Sequence, residues 1–332
     1  MKLPIHSLVP RTFVAIAVIA CILGTTAQSS HAVVLHTGNA NTTAPGDDPG
    51  FNYVGISSTG GASFVYLGNQ YAISANHVNI SGSVQLRPTG GAFQSFTVDP
   101  NAFGVGVATK QLKSSDNSNA DLKLFRLTTD PGLAPLSIIS TAPTSGQDVV
   151  MIGNGLSHGT DRQWNVTAGP VWNEVPPNPG PANTAGFNVD VPRIIRWGLN
   201  EIDQTGLFVD LGTGTIDYFT TEFNDPTFFP GGTLFGADEA QVVNGDSGGA
   251  VFSKVAGIWY LAGLINAEAK FTGQPGGTSV FGNASVLADL SLYRSQIIAA
   301  IPEPGSLSIA LGGATLMAVL RQRQRSKRRL TA

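Results

Sequence analysis

A serine set among glycines is the residue of this chain best suited to nucleophilic chemistry. Ser247 lies between Gly245 and Gly248, and an apolar run typical of a buried strand follows from Ala250. Glycines permit a tight turn that exposes the serine Oγ, and the amides of Gly245 and Ser247 could then form an oxyanion hole for a developing negative charge. The same segment also occurs in ordinary turns, so alone it fits either interpretation.

A serine nucleophile needs a base to take its proton and an acid to orient the base. His77 follows a predicted strand at 71–75 and is the candidate base, although a histidine there could also simply cap a turn. Asp121 opens an alternating apolar strand at 120–127, so its carboxylate should be partly buried and need a hydrogen-bond partner. Asp246, beside the serine, is expected to turn inward and pair with a cation.

The other histidines lack a comparable context. His36 and His158 lie in polar stretches and are expected to be solvent-exposed loop residues, while His6 and His31 belong to the N-terminal segment. The chemistry of a serine nucleophile requires no metal and no cofactor, and none is predicted.

Composition favours an all-β domain to carry these residues. The 332 residues include forty glycines and twenty prolines, only 12% are charged, and short apolar runs alternate with turn residues. A hairpin is expected from strands at 62–67 and 71–75. Further strands are expected at 84–86, 93–98, 120–127, 149–155 and 257–265. The single cysteine, Cys21, lies near the N-terminus, so packing rather than disulfides must stabilise the fold.

The body of the chain is acidic. Residues 33–300 contain eleven Lys and Arg against twenty-one Asp and Glu. This balance makes nucleic acid an unfavourable partner.

Both ends differ from the body. Residues 1–32 have a basic start, an apolar stretch and small residues up to Ala32, which predicts a secretory signal peptide. The stretch ending at Cys21 also resembles a lipoprotein box. The body, 33–300, is expected to form one domain, and 301–332 a tail outside the fold.

Two features of the body complete the expected organisation. Residues 156–235 are rich in Pro, Asn, Gly and Thr and are interpreted as long surface excursions. Apolar residues from Val286 to Ile301 keep a helical period, with Ser285 as a plausible N-cap, so a closing helix is expected.

Three segments together resemble the signatures of trypsin-like (chymotrypsin-fold) serine endopeptidases, in order and roughly in spacing, over about 33–300. The resemblance implies two six-stranded antiparallel β-barrels with a C-terminal helix and the site in the cleft between the barrels. It also implies that His77 acts as general base and then acid, Asp121 orients it, and Ser247 attacks. The segments are Ser74-Ala75-Asn76-His77, Asp121-Leu122-Lys123-Leu124-Phe125-Arg126-Leu127 and Gly245-Asp246-Ser247-Gly248-Gly249.

The chain departs from that pattern in its pocket and its cysteines. Val78 stands where the family usually has a cysteine, and the separation of Asp121 from Ser247 is longer than usual. The positions that resemble the family's substrate pocket hold Gln241 at the floor, with Asn266, Glu268 and Ser285 along the walls. A preference for a small or polar uncharged residue before the scissile bond is therefore expected.

The resemblance also implies an activation step. In the family a new apolar N-terminus inserts into the body, and its ammonium pairs with the aspartate before the serine. Signal-peptidase cleavage after Ala32 would expose Val33 as the partner of Asp246. A cut after Ala27 is the alternative, and it would require further trimming or another partner for Asp246.

The C-terminal segment resembles a PEP-CTERM sorting signal. Pro302-Glu303-Pro304 precedes an apolar stretch, and a basic cluster ends the chain. The resemblance implies recognition by an exosortase in a Gram-negative bacterium, transient contact with the membrane, and delivery to the outer cell surface or medium.

The sequence therefore predicts a secreted serine endopeptidase that hydrolyses polypeptides through a Ser-His-Asp triad and an acyl-enzyme. The rival from another class is a catalytically inactive surface binding module of the same fold, which Glu268 in the substrate strand favours. A purely structural surface β-protein would leave the three ordered motifs unexplained.

Overall fold

The computed structural model describes residues 33–57, 61–176 and 182–301. The predicted signal peptide, 1–32, and nearly all of the predicted sorting tail, 302–332, lie outside these residues. The chain divides into two compact units, 1–294 and 295–332. Across the described ranges, no helix has the length and apolar character needed to cross a membrane.

Strands dominate the described part of the chain, and one α-helix, α1 (Leu290–Ala300), follows them. The strands are β1 (Val34–Leu35), β2 (Val54–Ser57), β3 (Ser63–Gly68), β4 (Tyr71–Ala75), β5 (Ser83–Leu86), β6 (Gln94–Thr97), β7 (Thr109–Lys113), β8 (Asn119–Arg126), β9 (Asp148–Gly153), β10 (Ser157–Thr167), β11 (Val171–Val175), β12 (Thr184–Asp190), β13 (Arg196–Asp210), β14 (Thr215–Glu222), β15 (Ala240–Gln241), β16 (Ala250–Val255), β17 (Ile258–Ala269), β18 (Thr278–Val280) and β19 (Ala284–Asp289).

The first half of the body forms a closed ring of strands. Antiparallel pairing runs in the order β6-β5-β2-β3-β4-β8. A bridge between Val98 and Leu127 joins the two ends, and β7 pairs with the rest of that edge of β8. Inward side chains such as Phe64, Tyr66 and Phe125 are fully buried, which fits the alternation expected of strands with one apolar face.

The second half forms another closed ring. Its antiparallel order is β13-β9-β16-β17-β19-β14, and pairing between β13 and β14 closes it. The predicted fold class, all-β with two six-stranded antiparallel barrels and a C-terminal helix, is confirmed. All the strands predicted from apolar runs are present within a few residues of their expected bounds.

The start of the body belongs to the core of the second ring. Val33 and Leu35 pack with Met151, Val251 and Leu287, and all five are fully or almost fully buried. Burying a Val or Leu side chain stabilises a fold by about 1.5–3 kcal/mol. The segment that follows the predicted leader is therefore part of the fold.

The interpretation of 156–235 as surface excursions is wrong for β13 and β14. Five strands, β10 to β14, lie within it: β13 and β14 complete the second ring, while β10, β11 and β12 join β18 in a separate four-stranded sheet. The apolar period is hidden because the inward positions of β13 include Arg196, Gly198 and Asn200, which are buried without being apolar.

The helix also begins later than the sequence suggested. Residues 284–289 form β19, so Ser285 lies in a strand and is not an N-cap. Both edges of β19 are paired, with β14 and β17, and this tertiary pairing overrides the local helical period. The helix starts at Leu290, where the Asp289 carboxylate accepts a hydrogen bond of 2.9 Å from the Ser291 amide.

A buried glutamate holds the turn that leads into β15. Glu239 is 1% exposed, and its carboxylate accepts from the amides of Asn224 (3.2 Å) and Phe235 (3.1 Å). Burial raises its pKa from 4.5 to about 7, these hydrogen bonds oppose the shift, and the charge of Glu201 adds to it.

This pKa predicts a pH-dependent stability. The folded state holds the Glu239 proton more tightly than the unfolded state, so the free energy of unfolding should fall as pH rises from about 4.5 to about 7, by on the order of 1–3 kcal/mol. Urea unfolding at several pH values should show a shallower fall in Glu239→Gln than in the wild type. An identical slope in both proteins would contradict the prediction.

Candidate active site

His77 and Asp121 are in direct contact. The histidine Nδ1 lies 2.7 Å from Asp121 Oδ2, and the His77 backbone amide donates to Oδ1 of the same carboxylate at 3.0 Å. Asp121 is fully buried, whereas the His77 side chain remains 24% exposed. The predicted contact between base and acid is therefore present, and the outer part of the ring faces solvent.

Strand pairing explains why these residues meet. β4 and β8 are antiparallel neighbours, with Ala75 opposite Leu122, so the end of β4 emerges beside the start of β8. The Asn76 amide donates to the Asp121 carbonyl at 3.1 Å, and the Val78 amide closes a turn onto Ala75. Backbone pairing thus brings His77 next to Asp121.

A buried lysine braces the same turn. The Lys123 ammonium, two residues beyond Asp121, donates to the carbonyls of Asn76 (2.9 Å) and Val78, which flank His77. Burial lowers the pKa of Lys123, and the charge of Asp121 opposes that shift. The ammonium therefore fixes the backbone on both sides of the histidine without touching its ring.

The serine turn packs closely against the first ring. Ser247 is 6% exposed, its carbonyl accepts from the Ser63 amide at 2.9 Å, and Gly248 has φ of 85°. A Cβ at Gly248 would lie 2.1 Å from the Ser63 carbonyl oxygen and 2.3 Å from Ser74 Oγ. Only glycine allows this approach, which brings Ser247 beside β3 and β4.

Asn266 links the serine to the acid. Its carbonyl lies 3.4 Å from Ser247 Oγ, which donates to it, and its side-chain amide donates to the Asp121 carbonyl (2.8 Å) and to Oδ2 (3.1 Å). Asn266 was expected along the pocket wall, but its amide faces the carboxylate. The three predicted triad residues therefore share one connected set of contacts.

Asp246 turns inward, as expected, and is fully buried. Burial raises its pKa well above the usual value. The Val243 amide, the charge of Arg196 and the Val33 amide oppose that shift, and the charge of Glu268 adds to it. Val33, the residue predicted to follow leader cleavage, thus lies beside Asp246.

The cation expected beside Asp246 is not a direct partner. Among the described residues, no ion pair within 4.0 Å includes Asp246. The positive charge that acts on the Asp246 pKa is that of Arg196. Arg196 is 1% exposed, and its guanidinium donates to the carbonyls of Val33 (3.4 Å) and Ala40 (3.2 Å) rather than to the Asp246 carboxylate. Arg196 thus secures the N-terminal segment beside the carboxylate.

The predicted floor and wall of the pocket also meet. Ser285 Oγ donates to Gln241 Oε1 at 3.3 Å, and Glu268 lies opposite Ser285 in the pairing of β17 with β19. Lys270 forms an ion pair of 2.7 Å with Glu268 Oε1. We refer to Gln241, Ser285 and Glu268 as the floor cluster.

The expectation that His36 and His158 are solvent-exposed loop residues is wrong for the exposure of both, which are partly buried, although His36 does lie in a loop. His158 lies on β10, stacks on Phe187 with ring centroids 3.6 Å apart, and contacts the Leu35 carbonyl through Nδ1 at 2.9 Å. His36 Nε2 lies 2.9 Å from Asp225 Oδ2. Both residues line a cavity of about 550 Å³ beside the N-terminal segment. Within the described ranges, no cluster of three His, Cys, Asp or Glu side chains is suited to a metal ion.

The chain was compared with known proteins. No protein-family model matches it, and no curated protein matches it. Solved structures do match. Among them is neuropsin, a serine protease expressed in the limbic system of mouse brain, which is 16% identical over 76% of this chain and 96% of that chain, with a TM-score of 0.44. A likeness at that level carries no weight for function.

Sequence reasoning missed Lys123 and Arg196 as parts of the site. A lysine in the alternating strand 120–127 is equally expected on the solvent face, and only the pairing of β8 shows that Lys123 is 8% exposed. Arg196 carried a usable signal, because a cation placed directly between the apolar residues Ile195 and Trp197 indicates a buried charge.

The brace on His77 gives a testable prediction. Lys123→Met removes two hydrogen bonds that fix the backbone around the histidine, so kcat should fall about tenfold to a hundredfold with a smaller change in KM, because misplaced catalytic groups lose rate. The control is Lys110→Met, on the exposed face of β7. Equal kcat in the two folded variants would contradict a positioning role for Lys123.

Proposed function

We propose that this protein is a serine endopeptidase that hydrolyses peptide bonds through Ser247, His77 and Asp121. The observation that carries the proposal is the 2.7 Å contact between His77 Nδ1 and the buried carboxylate, with Asn266 joining that carboxylate to the serine hydroxyl. A buried acid, an oriented imidazole and a hydroxyl on a glycine turn are the three parts that acyl transfer requires.

The tautomer of His77 follows from its partner. An ionised carboxylate only accepts hydrogen bonds, so Nδ1 must carry the ring proton where it meets Asp121 Oδ2. In the neutral ring Nε2 then has a free lone pair. That lone pair can take a proton from Ser247, and Asp121 stabilises the imidazolium that results.

The proposed reaction has two halves. In the first, Ser247 Oγ attacks the scissile carbonyl carbon while its proton passes to His77 Nε2; the tetrahedral adduct then collapses, the C–N bond breaks, and the proton goes to the leaving amine. In the second, water attacks the acyl-serine ester while His77 takes a proton from the water; the adduct then collapses, the bond between Ser247 Oγ and the acyl carbon breaks, the proton returns to Oγ, and the carboxylic acid product leaves. The amides of Gly245 and Ser247 are proposed to stabilise the oxyanion in both halves.

The N-terminal segment is proposed to control the order of the serine turn. Val33 is fully buried beside Asp246, and β1 pairs with β15, the strand that carries Gln241. While the leader is attached, the Val33 nitrogen is an uncharged amide. Cleavage after Ala32 would convert it into an ammonium in contact with a buried carboxylate.

The destination of the protein is proposed from its two ends. The features of 1–32 support export through signal peptidase, and those of 301–332 support processing by an exosortase-type enzyme at the surface of a Gram-negative bacterium. The acidic body and the absence of a cofactor requirement in the proposed chemistry fit an extracellular hydrolase acting on polypeptides.

The triad proposal predicts large losses of rate. Ser247→Ala and His77→Ala should each lower kcat by about four to six orders of magnitude, and the double variant by no more than the worse single one, because the residues act as a unit. Ser253→Ala, on β16 in the same ring, is the matched control and should retain activity. Substantial turnover in either single variant would refute the triad.

The N-terminal proposal predicts that the leader restrains activity. A protein beginning at Val33 should be at least about a hundredfold more active than one that retains Gln28 to Ala32, because an unpaired buried charge costs about 3–5 kcal/mol. N-terminal sequencing of the active form shows whether it begins at Val33. The intact mass of the same sample tests whether its C-terminus lies near Pro302. Full activity with residues 28–32 attached would rule out this role for Val33.

A further inference from the structure

Four buried polar atoms near the serine have no hydrogen-bond partner among the described residues. Asp246 Oδ1 and Asn266 Oδ1 are two of them, and the other two are Gln241 Nε2, a donor, and Glu268 Oε2, an acceptor. Native structures rarely leave buried polar groups unpaired, and those that remain often belong to a binding site whose ligand supplies the partner. Gln241 Nε2 and Glu268 Oε2 belong to the floor cluster.

The orientation of the Gln241 amide is set by its neighbours. The Val242 amide donates to Ser285 Oγ at 3.2 Å, which leaves the serine's own proton to donate to Gln241 Oε1 at 3.3 Å. The carbonyl end of the glutamine is therefore the end held by Ser285. Its NH₂ end is the one without a partner.

Glu268 presents its free oxygen on the same wall. Residues directly opposite each other in an antiparallel pair have Cβ atoms about 4.5–5.5 Å apart on one face, so the side chains of Glu268 and Ser285 are neighbours. Lys270 occupies Oε1 and balances the charge. The Glu268 side chain keeps 19% exposure, so the floor cluster reaches the surface on this side.

The cluster is close to the reacting serine. Asn266, whose carbonyl accepts from Ser247 Oγ, lies two residues before Glu268 on β17, and Gln241 precedes Ser247 by one short turn region. The ligand that could reach the cluster is therefore the substrate side chain next to the bond attacked by Ser247. To pair both atoms it must accept from Gln241 Nε2 and donate to Glu268 Oε2. It needs no net charge, because Lys270 already balances Glu268.

We propose that the floor cluster selects a side-chain carboxamide, glutamine or asparagine, before the scissile bond. The carboxamide oxygen accepts from Gln241 Nε2, and its NH₂ group donates to Glu268 Oε2. This inference rests on the proposed endopeptidase activity and narrows its substrate class from small or polar uncharged residues to carboxamides.

Glutamate, methionine and the basic side chains fail to pair both atoms. A glutamate, which has the same shape as glutamine, would place its second carboxylate oxygen against Glu268. Methionine, of similar length, pairs neither atom, and the balance of Glu268 by Lys270 removes the attraction for a basic residue. A site built to hydrogen-bond its substrate strongly rejects analogues that leave its polar groups unpaired, so kcat/KM should favour glutamine over glutamate and methionine by at least about tenfold.

Digestion of a peptide library tests the inference, with Ser247→Ala as the blank. Cuts that require Ser247 and fall mainly after glutamine and asparagine support it. Cuts that require Ser247 but show no such preference overturn the carboxamide inference and leave the endopeptidase proposal standing. An absence of any cut that requires Ser247 overturns both.

Matched peptides differing only as Gln, Glu or Met then test the residues. Glu268→Gln removes the repulsion and adds a donor, so the ratio of kcat/KM for glutamine over glutamate should fall at least about tenfold. Glu174→Gln, which alters a glutamate paired with Arg162 on the four-stranded sheet, should leave the ratio unchanged. An unchanged ratio in Glu268→Gln, or a wild-type ratio near one, would overturn the proposal.

Discussion

The site depends on how one fully buried carboxylate is satisfied. Asp121 has no contact with solvent, and its side-chain oxygens receive the His77 amide, His77 Nδ1 and the Asn266 amide. A buried charge without such partners would be strongly destabilising. The need to satisfy Asp121 therefore draws a residue from the end of β4 and another from β17 to one point, and so couples the two rings where the serine turn lies.

A second buried carboxylate has a different set of partners. Asp246 receives amides from Val243 and Val33, and its pKa is raised because burial outweighs them. The Asp121 carboxylate already has hydrogen-bond partners on both oxygens. Asp246, in contrast, would gain a directly paired positive charge when Val33 becomes an N-terminus. Asp121 thus holds the His77 ring in place, and under the proposal above Asp246 would make the serine turn responsive to processing.

Parts of this arrangement could be predicted from sequence because the residue types themselves are informative. A serine between glycines, and an aspartate that opens an apolar strand, indicate local geometry without tertiary contacts. The positions of Lys123 and Asn200 could not be predicted, because a polar residue in a strand is normally read as facing solvent. Their burial depends on which strands pair, and pairing is a non-local property of the ring. For the same reason β13 was missed.

Labelling with a fluorophosphonate tests the central claim most directly, because the serine Oγ displaces fluoride from this reagent readily only where a neighbouring base takes the hydroxyl proton during the attack. The mature, folded protein should be modified stoichiometrically at Ser247, as located by mass spectrometry of its peptides, and urea-unfolded protein should not react. A folded protein that takes up no label at Ser247, or that is labelled equally at other serines, would contradict the account.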